Sequence, residues 1–178
     1  MQDLKVYIAE KLDISKDYSI SYNYQPKNKK ELESLLERLI KDRGDDGDFN
    51  DIDTSLITDM SRLFVYNINF NGDISRWNTS NVTNMYAMFE NAEQFNNDIS
   101  QWSTSKVINM SWMFAGAKSF NQQIDRWNTL KVKDMHCMFL RAESFNKDIS
   151  RWNVNKVTDY YNAFEDCPIK EEYKPKFK

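Results

Sequence analysis

The chain has 178 residues, of which 40% are hydrophobic and 14% aromatic, and its formal net charge is −3 at pH 7. This composition is typical of a compact folded protein and excludes the disordered class. A charge so near neutral gives no general attraction to nucleic acid or to a membrane surface. We therefore expect no nucleic-acid partner. No apolar run approaches the roughly 20 residues of a membrane span, so we expect no membrane span either.

Residues 1–47 are predicted to form an N-terminal cap that contains a strand and a helix. Apolar and polar residues alternate strictly from Tyr18 to Tyr24, which is the pattern of a half-buried strand. The shorter apolar run Val6–Ala9 fits either a strand or a helix. Both elements precede Pro26, which ends the predicted strand.

An amphipathic helix is predicted over residues 29–43. Asn28 and Glu31 have the spacing of a capping box, and apolar residues then recur at helical spacing from Leu32 to Ile40. Gly44 is a typical helix end. We expect the apolar face of this helix to cover the open end of the repeats that follow.

From residue 48 to residue 167 the chain repeats itself every 25 residues. Four repeats begin at Phe70, Phe95, Phe120 and Phe145, and a degenerate leading repeat precedes them. Self-similarity at this period predicts a solenoid, in which each unit buries its apolar side chains against its neighbours. Residues 168–178 form a lysine-rich C-terminal tail that begins at Pro168 and lies outside the pattern.

Each repeat is predicted to contain a short helix and a short strand. Met85, Met88 and Phe89 have the i, i+3, i+4 spacing of one helix face, and Asn84 before them is a preferred N-cap residue. The segment Phe95–Trp102 is instead typical of a turn followed by an extended stretch. The sequence therefore predicts an α/β solenoid of about four to five units, each with a short strand and a short helix.

Two invariant columns are interpreted as structural. One is an asparagine column that would form an amide ladder, and the other is a tryptophan column that would pack between repeats. If the tryptophans faced outward they could instead stack on sugars, and their solvent exposure decides between the two. The residues are Asn71, Asn96, Asn121 and Asn146, and Trp77, Trp102, Trp127 and Trp152.

Columns that vary between repeats are the candidates for partner binding, because packing does not constrain them. One candidate is an outward-facing aromatic set of a kind enriched at protein interfaces. The other is a basic column, for which ordinary solvated charge is the alternative. The aromatic set is Tyr86, Trp112, His136 and Tyr161, and the basic column is Arg76, Arg126 and Arg151.

We expect no catalytic site, no metal site and no cofactor. His136 is the single histidine, and the four glycines form no phosphate-binding loop. Asp73, Asp98 and Asp148 share one loop position, but Gln123 interrupts that column, which leaves too few ligands for Ca²⁺. A threonine column at Thr79, Thr104 and Thr129 suggests a flat hydroxyl lattice for ice or sugar. Val154 follows in that column, however, and Lys133 would interrupt the lattice in the neighbouring column.

The repeat resembles that of the BspA-like surface proteins and mycoplasma lipoproteins, most clearly over Asp73–Met85 and Asp98–Phe114. The resemblance covers Phe49–Cys167. It implies a leucine-rich-repeat-like solenoid in a bacterial protein of a kind commonly displayed on the cell surface and linked to adhesion or other protein contacts, with no family-wide catalytic activity. The first residues show no signal peptide, so a cytoplasmic location is the alternative, as is a chain taken from a longer protein.

We therefore predict a non-enzymatic interaction module of bacterial surface or adhesion type, which binds a protein partner through its variable columns. A carbohydrate-binding solenoid and an intracellular scaffold are the alternative functions. Cys137 and Cys167 occupy different columns of adjacent repeats, and both are predicted to be unpaired.

Overall fold

The structure, a computed structural model, describes residues 22–178. The apolar run Val6–Ala9 and most of the strand predicted from Tyr18 lie outside the described residues. Within them, Tyr24 forms an isolated parallel bridge with Ile52 of the leading repeat.

One α-helix, α1, spans Lys29–Arg43, the range that the sequence predicts. The Asn28 side chain accepts a hydrogen bond from the Glu31 N–H at 3.0 Å, and the Glu31 carboxylate accepts one from the Lys27 N–H at 2.9 Å. The first bond satisfies one of the donors that a helix start leaves free, and the second holds the residue before the N-cap against the first turn. At the other end, Gly44 has a φ of 81° and donates its N–H to the carbonyl of Ile40.

Helix α1 covers one end of the repeats. Its buried residues Leu32, Leu36 and Leu39 belong to the same apolar core as the phenylalanines of the leading repeat. The Lys29 ammonium reaches across to the Ser61 hydroxyl, with 2.6 Å between Nζ and Oγ. The apolar face of the helix is thereby removed from water.

The predicted α/β leucine-rich-repeat-like solenoid of strand-helix units is wrong. Within residues 22–178 the structure contains no named strand and no sheet, and its only helices are α1 and a 3-10 helix at Glu171–Tyr173. The repeats are built from consecutive tight turns. Neighbouring repeats meet at isolated parallel bridges, which are Asp59 with Asn84, Asn84 with Asn109, Asn109 with Asp134, and Asp134 with Asp159.

Backbone geometry explains why no helix forms in the repeats. In each repeat, the residue two positions after the first methionine, or after Tyr160 in the last repeat, has a φ between 52° and 60°. A right-handed helix cannot accommodate this value. The Asn84 side chain accepts from the N–H of Tyr86, two residues further on, at 3.1 Å, so it forms an Asx turn. The residues with positive φ at this position are Arg62, Ala87, Trp112, Cys137 and Asn162.

Hydrogen bonds between repeats replace those of regular secondary structure. At each of the four interfaces between repeats, four N–H groups at alternate residues of the apolar segment donate to carbonyls 24 residues later, with N···O distances of 2.7–3.0 Å. Met85 donates to Asn109, for example, and Phe89 donates to Met113. Because these buried backbone groups are paired, the turn-built repeats are compatible with an apolar interior.

Three rows of aromatic rings run through the core of the repeats, among buried aliphatic side chains and methionines. Ring centroids are 5.6 Å apart for Phe89 and Phe114, 6.0 Å for Phe95 and Phe120, and 6.4 Å for Trp77 and Trp102. The rings of each pair are nearly parallel. Phe89 also stacks on Phe95, the first residue of the next repeat, with 3.9 Å between ring centroids. Aromatic packing of this kind contributes beyond the burial of area alone.

The C-terminal tail folds back onto the last repeat. Ile169 and Pro175 are buried, and the ring of Phe177 stacks on that of Tyr160 with 4.3 Å between centroids. The described repeats are therefore covered by α1 at one end and partly covered by the tail at the other.

Candidate partner-binding surface

Three of the four predicted aromatic residues form a continuous group, which we call the aromatic row: Trp112, His136 and Tyr161. Ring centroids are 5.7 Å apart both for Trp112 with His136 and for His136 with Tyr161. Trp112 and His136 are half-buried, whereas Tyr161 is 68% exposed. The row crosses three successive repeats.

Turn geometry and side-chain size decide which residues of these columns reach the surface. Trp112 has a φ of 60°, and its N–H is fixed by the His136 carbonyl at 2.8 Å. Its counterparts Ala87 and Cys137 have the same left-handed conformation but are buried. Tyr86 is half-buried and forms no ring pair with the aromatic row among the described residues.

Acidic side chains lie near the aromatic row. The His136 Nδ1 lies 3.4 Å from an Asp159 carboxylate oxygen. Burial, together with the carboxylates of Glu165 and Asp159, raises the pKa of the Cys137 thiol above its ordinary value. A protonated thiol is a poor nucleophile. The surroundings of Cys137 therefore disfavour covalent chemistry at this position.

The predicted basic column is exposed but not continuous. Arg76, Arg126 and Arg151 are all exposed, and Gln101 separates the first from the other two. The guanidinium of Arg76 lies 4.0 Å from the Asp48 carboxylate at the surface. Exposed pairs at this distance contribute little to stability, so these arginines keep their positive charge available to solvent or to a partner.

The tryptophan column is buried, with 4–5% of each residue exposed. Each indole N–H donates to a backbone carbonyl 28 residues earlier in the sequence, at 3.0–3.2 Å. Sugar stacking on these four rings is thereby excluded, because their faces are covered by neighbouring repeats. The residues are Trp77, Trp102, Trp127 and Trp152.

The asparagine column forms a ladder between side chains and backbone. The Asn71 side-chain oxygen accepts from the N–H of Asn96 at 2.9 Å, and the same contact recurs from Asn96 to Asn121 and from Asn121 to Asn146. Lys170 of the tail donates the last N–H, to Asn146 at 3.1 Å. These amides hold the loops in register.

Sequence reasoning missed two features. Tyr160 occupies a column of buried methionines, yet it is 41% exposed because no further repeat covers it. The threonine column is buried, and its hydroxyls bond to backbone instead of forming a hydroxyl lattice. The replacement of threonine by Val154 in the last repeat is the sequence signal that could have revealed this role.

Residues 22–178 contain no group of three or more His, Cys, Asp or Glu side chains placed to hold a metal ion. In the same part of the chain, no helix combines the length and apolar character needed to cross a membrane. Cys137 and Cys167 are both free thiols, and burial raises the pKa of Cys167.

Comparison with known proteins identifies a family. The family model described as Mycoplasma protein of unknown function, DUF285, matches residues 33–128 and again residues 80–174. The two matches together extend from α1 to the tail and cover well over half of the chain. No curated protein and no solved structure matches it. The chain therefore belongs to the DUF285 family of Mycoplasma proteins of unknown function.

Proposed function

We propose that the chain is a BspA-like, non-enzymatic protein-binding module of the bacterial surface, and that the aromatic row contacts its partner. The observation that carries this proposal is the contiguous surface group of Trp112, His136 and Tyr161, with centroids 5.7 Å apart. Tryptophan and tyrosine are enriched among the residues that dominate binding energy at protein interfaces. Membership of the DUF285 family, which is associated with BspA-like repeats, supports the surface role.

The rigidity of the backbone under the aromatic row also favours binding. The N–H of Trp112 is bonded to His136, and the N–H of Cys137 is bonded to Tyr161, at 2.8 and 2.9 Å. A partner that docks here does not have to order these backbone segments. Preorganisation of this kind lowers the entropic cost of association.

The test is a binding measurement with a variant that lacks the aromatic row. Trp112→Ala, His136→Ala and Tyr161→Ala are combined, and binding to a panel of immobilised host extracellular-matrix proteins is measured by surface plasmon resonance. Ala87 already occupies the position equivalent to Trp112 with a φ of 52°, so alanine suits this backbone. We expect the wild-type chain to bind at least one matrix protein and the variant to bind it about 100-fold more weakly.

The matched control removes exposed apolar side chains elsewhere: Tyr66→Ala, Ile68→Ala and Leu130→Ala, which are 64%, 50% and 48% exposed. This control should bind like the wild type, and both variants should keep the wild-type Tm within a few degrees. Equal binding by the aromatic variant and the control would refute the assignment of the site. Failure of the wild type to bind any matrix protein would count against the adhesive role.

A further inference from the structure

The last repeat ends in a row of backbone donors without acceptors. In the repeat before it, Met135, Cys137, Phe139 and Arg141 donate their N–H groups to carbonyls of the last repeat at 2.8–2.9 Å. Their counterparts in the last repeat find no hydrogen-bond acceptor within residues 22–178. These four residues, Tyr160, Asn162, Phe164 and Asp166, are called the open edge here.

The tail replaces only the first half of a further repeat. Lys170 donates its N–H to the Asn146 side chain at 3.1 Å, and the Tyr173 carbonyl accepts the N–H of Ile149 at 3.0 Å. The tail then contacts the open edge through side chains, since Phe177 stacks on Tyr160 and Lys174 lies 5.8 Å from the centroid of the Phe164 ring. It supplies no acceptor to the four N–H groups. Between the tail and the last repeat lies a cleft of about 660 Å³, lined by aromatic rings and by charged residues of the tail.

We propose that the open edge binds a segment of a partner polypeptide, folded in the same consecutive turns, through backbone hydrogen bonds. Four donors at alternate residues require acceptors at the same spacing, and alternate carbonyls of a polypeptide supply them at every interface between repeats. Proteins commonly recognise peptides by pairing them with an exposed backbone edge. Tyr160, Phe164 and Phe177 in the cleft provide apolar contacts for side chains of the bound segment.

A second copy of this chain fits the open edge poorly. Two open edges facing each other would oppose donors to donors. The opposite end of the repeats is covered by α1, where Lys29 contacts Ser61 at 2.6 Å and lies 4.0 Å from Asp59. The proposal is independent of the aromatic row and goes beyond the proposed function.

The first experiment measures amide hydrogen exchange by NMR on the full chain. The probe is a synthetic peptide of residues 106–118, because its carbonyls at Asn109, Ser111, Met113 and Ala115 accept these bonds between repeats. In the free protein, the four amides of the open edge should exchange fast while those of Met135 and Phe139 are protected. The peptide should protect the open edge, with saturation below about 1 mM, and a scrambled peptide should not.

Three results of this experiment would overturn the proposal. In the first, the four amides are protected from exchange in the free monomer. In the second, their protection rises with protein concentration in the absence of peptide. In the third, the peptide binds but leaves the four amides unprotected. The first would show that the chain itself fills the edge, and the second would identify a second copy as the occupant.

A pair of variants isolates one backbone donor. Tyr160→Pro removes both the N–H and the side chain, whereas Tyr160→Ala removes the side chain alone. Proline suits this position for two reasons. Asp159 before it forms a parallel bridge, as expected for the extended residue that precedes a proline. The Asp159 side chain also accepts the Tyr161 N–H, which places residue 160 inside an Asx turn. We expect the proline variant to bind the peptide about fivefold more weakly than the alanine variant. Equal affinities would contradict backbone pairing at this residue.

Discussion

At the scale of single residues, the threonine column shows how a repeat position can be set by its neighbour. The hydroxyls of Thr54, Thr79, Thr104 and Thr129 each donate to a carbonyl of the following repeat at 3.0–3.1 Å. The equivalent residue of the last repeat is Val154. A threonine at this position would have no following repeat to accept its hydroxyl. Burying a hydroxyl without an acceptor costs free energy. Valine avoids this cost in the last repeat, where the acceptor is missing.

Thr104→Val tests this interpretation. The substitution keeps the shape of the side chain but leaves the Asn128 carbonyl without its hydroxyl donor, so we expect the free energy of unfolding to fall by about 1–2 kcal/mol. The control is Thr158→Val, whose hydroxyl is exposed and bonds to the Lys133 carbonyl. Urea denaturation should show a change of less than about 0.5 kcal/mol for the control. Equal losses for the two variants would contradict a special role for the buried column.

At the scale of elements, a single ion pair fixes the end of α1 to the leading repeat. Arg43 in the last turn of α1 donates two hydrogen bonds to the Asp51 carboxylate, at 2.8 and 3.0 Å. The Arg43 guanidinium also lies 5.6 Å from the centroid of the Tyr24 ring. Because both charged side chains are partly buried, this contact is screened less than a fully exposed pair.

The ion pair predicts how stability responds to acid. Hydrogen bonding to Arg43 lowers the folded-state pKa of Asp51 below its ordinary value of 3.8. A carboxylate with a lowered pKa contributes stability that is complete above its unfolded pKa and is lost as the pH falls through the folded pKa. We therefore expect Asp51→Asn to lower the Tm at pH 7, and the difference from the wild type to shrink below about pH 4.

Melting curves between pH 2 and pH 7 check this expectation. Asp46→Asn is the control, since Asp46 is exposed and forms no ion pair within the described residues. Its Tm should differ little from that of the wild type over the whole range. A Tm difference for Asp51→Asn that stays constant down to pH 2 would show that the carboxylate charge does not anchor α1.

Helix α1 could be predicted from sequence, whereas the structure of the repeats could not. Asn28, Glu31 and Gly44 mark the ends of α1, and nine residues of helical periodicity lie between them. In the repeats, Asn84 is equally suited to a helix cap and to an Asx turn. The left-handed conformation of Ala87 produces a turn and not a helix. A glycine would have signalled that conformation in the sequence, whereas an alanine does not.

The candidate surface could be predicted only in part, for a related reason. Trp112 stands out because its counterparts Ala87 and Cys137 are small, and a large side chain at such a position has to reach the surface. The exposure of Tyr160 and the open edge depend instead on where the repeats end and how the tail folds. Those are properties of the tertiary structure, which a column of aligned repeats does not record.

At the scale of the whole molecule, stability should depend on position along the repeats. Each repeat contacts only its neighbours, so a residue near the end has fewer packing partners than its equivalent in the middle. The ring of Phe114 lies within 4.0–6.1 Å of four other aromatic rings. The equivalent ring of Phe164 lies near two, those of Phe139 and Phe177.

The same substitution should therefore have different effects at the two positions. Phe114→Leu removes ring contacts from a fully buried site and should lower the free energy of unfolding by about 1–2 kcal/mol. Phe164→Leu, at a half-buried site, should cost less than half as much. Urea denaturation followed by tryptophan fluorescence measures both, since the four column tryptophans are buried. Equal losses would mean that the end of the molecule is packed as tightly as its middle, and would contradict a cleft beside the open edge that a partner segment could enter.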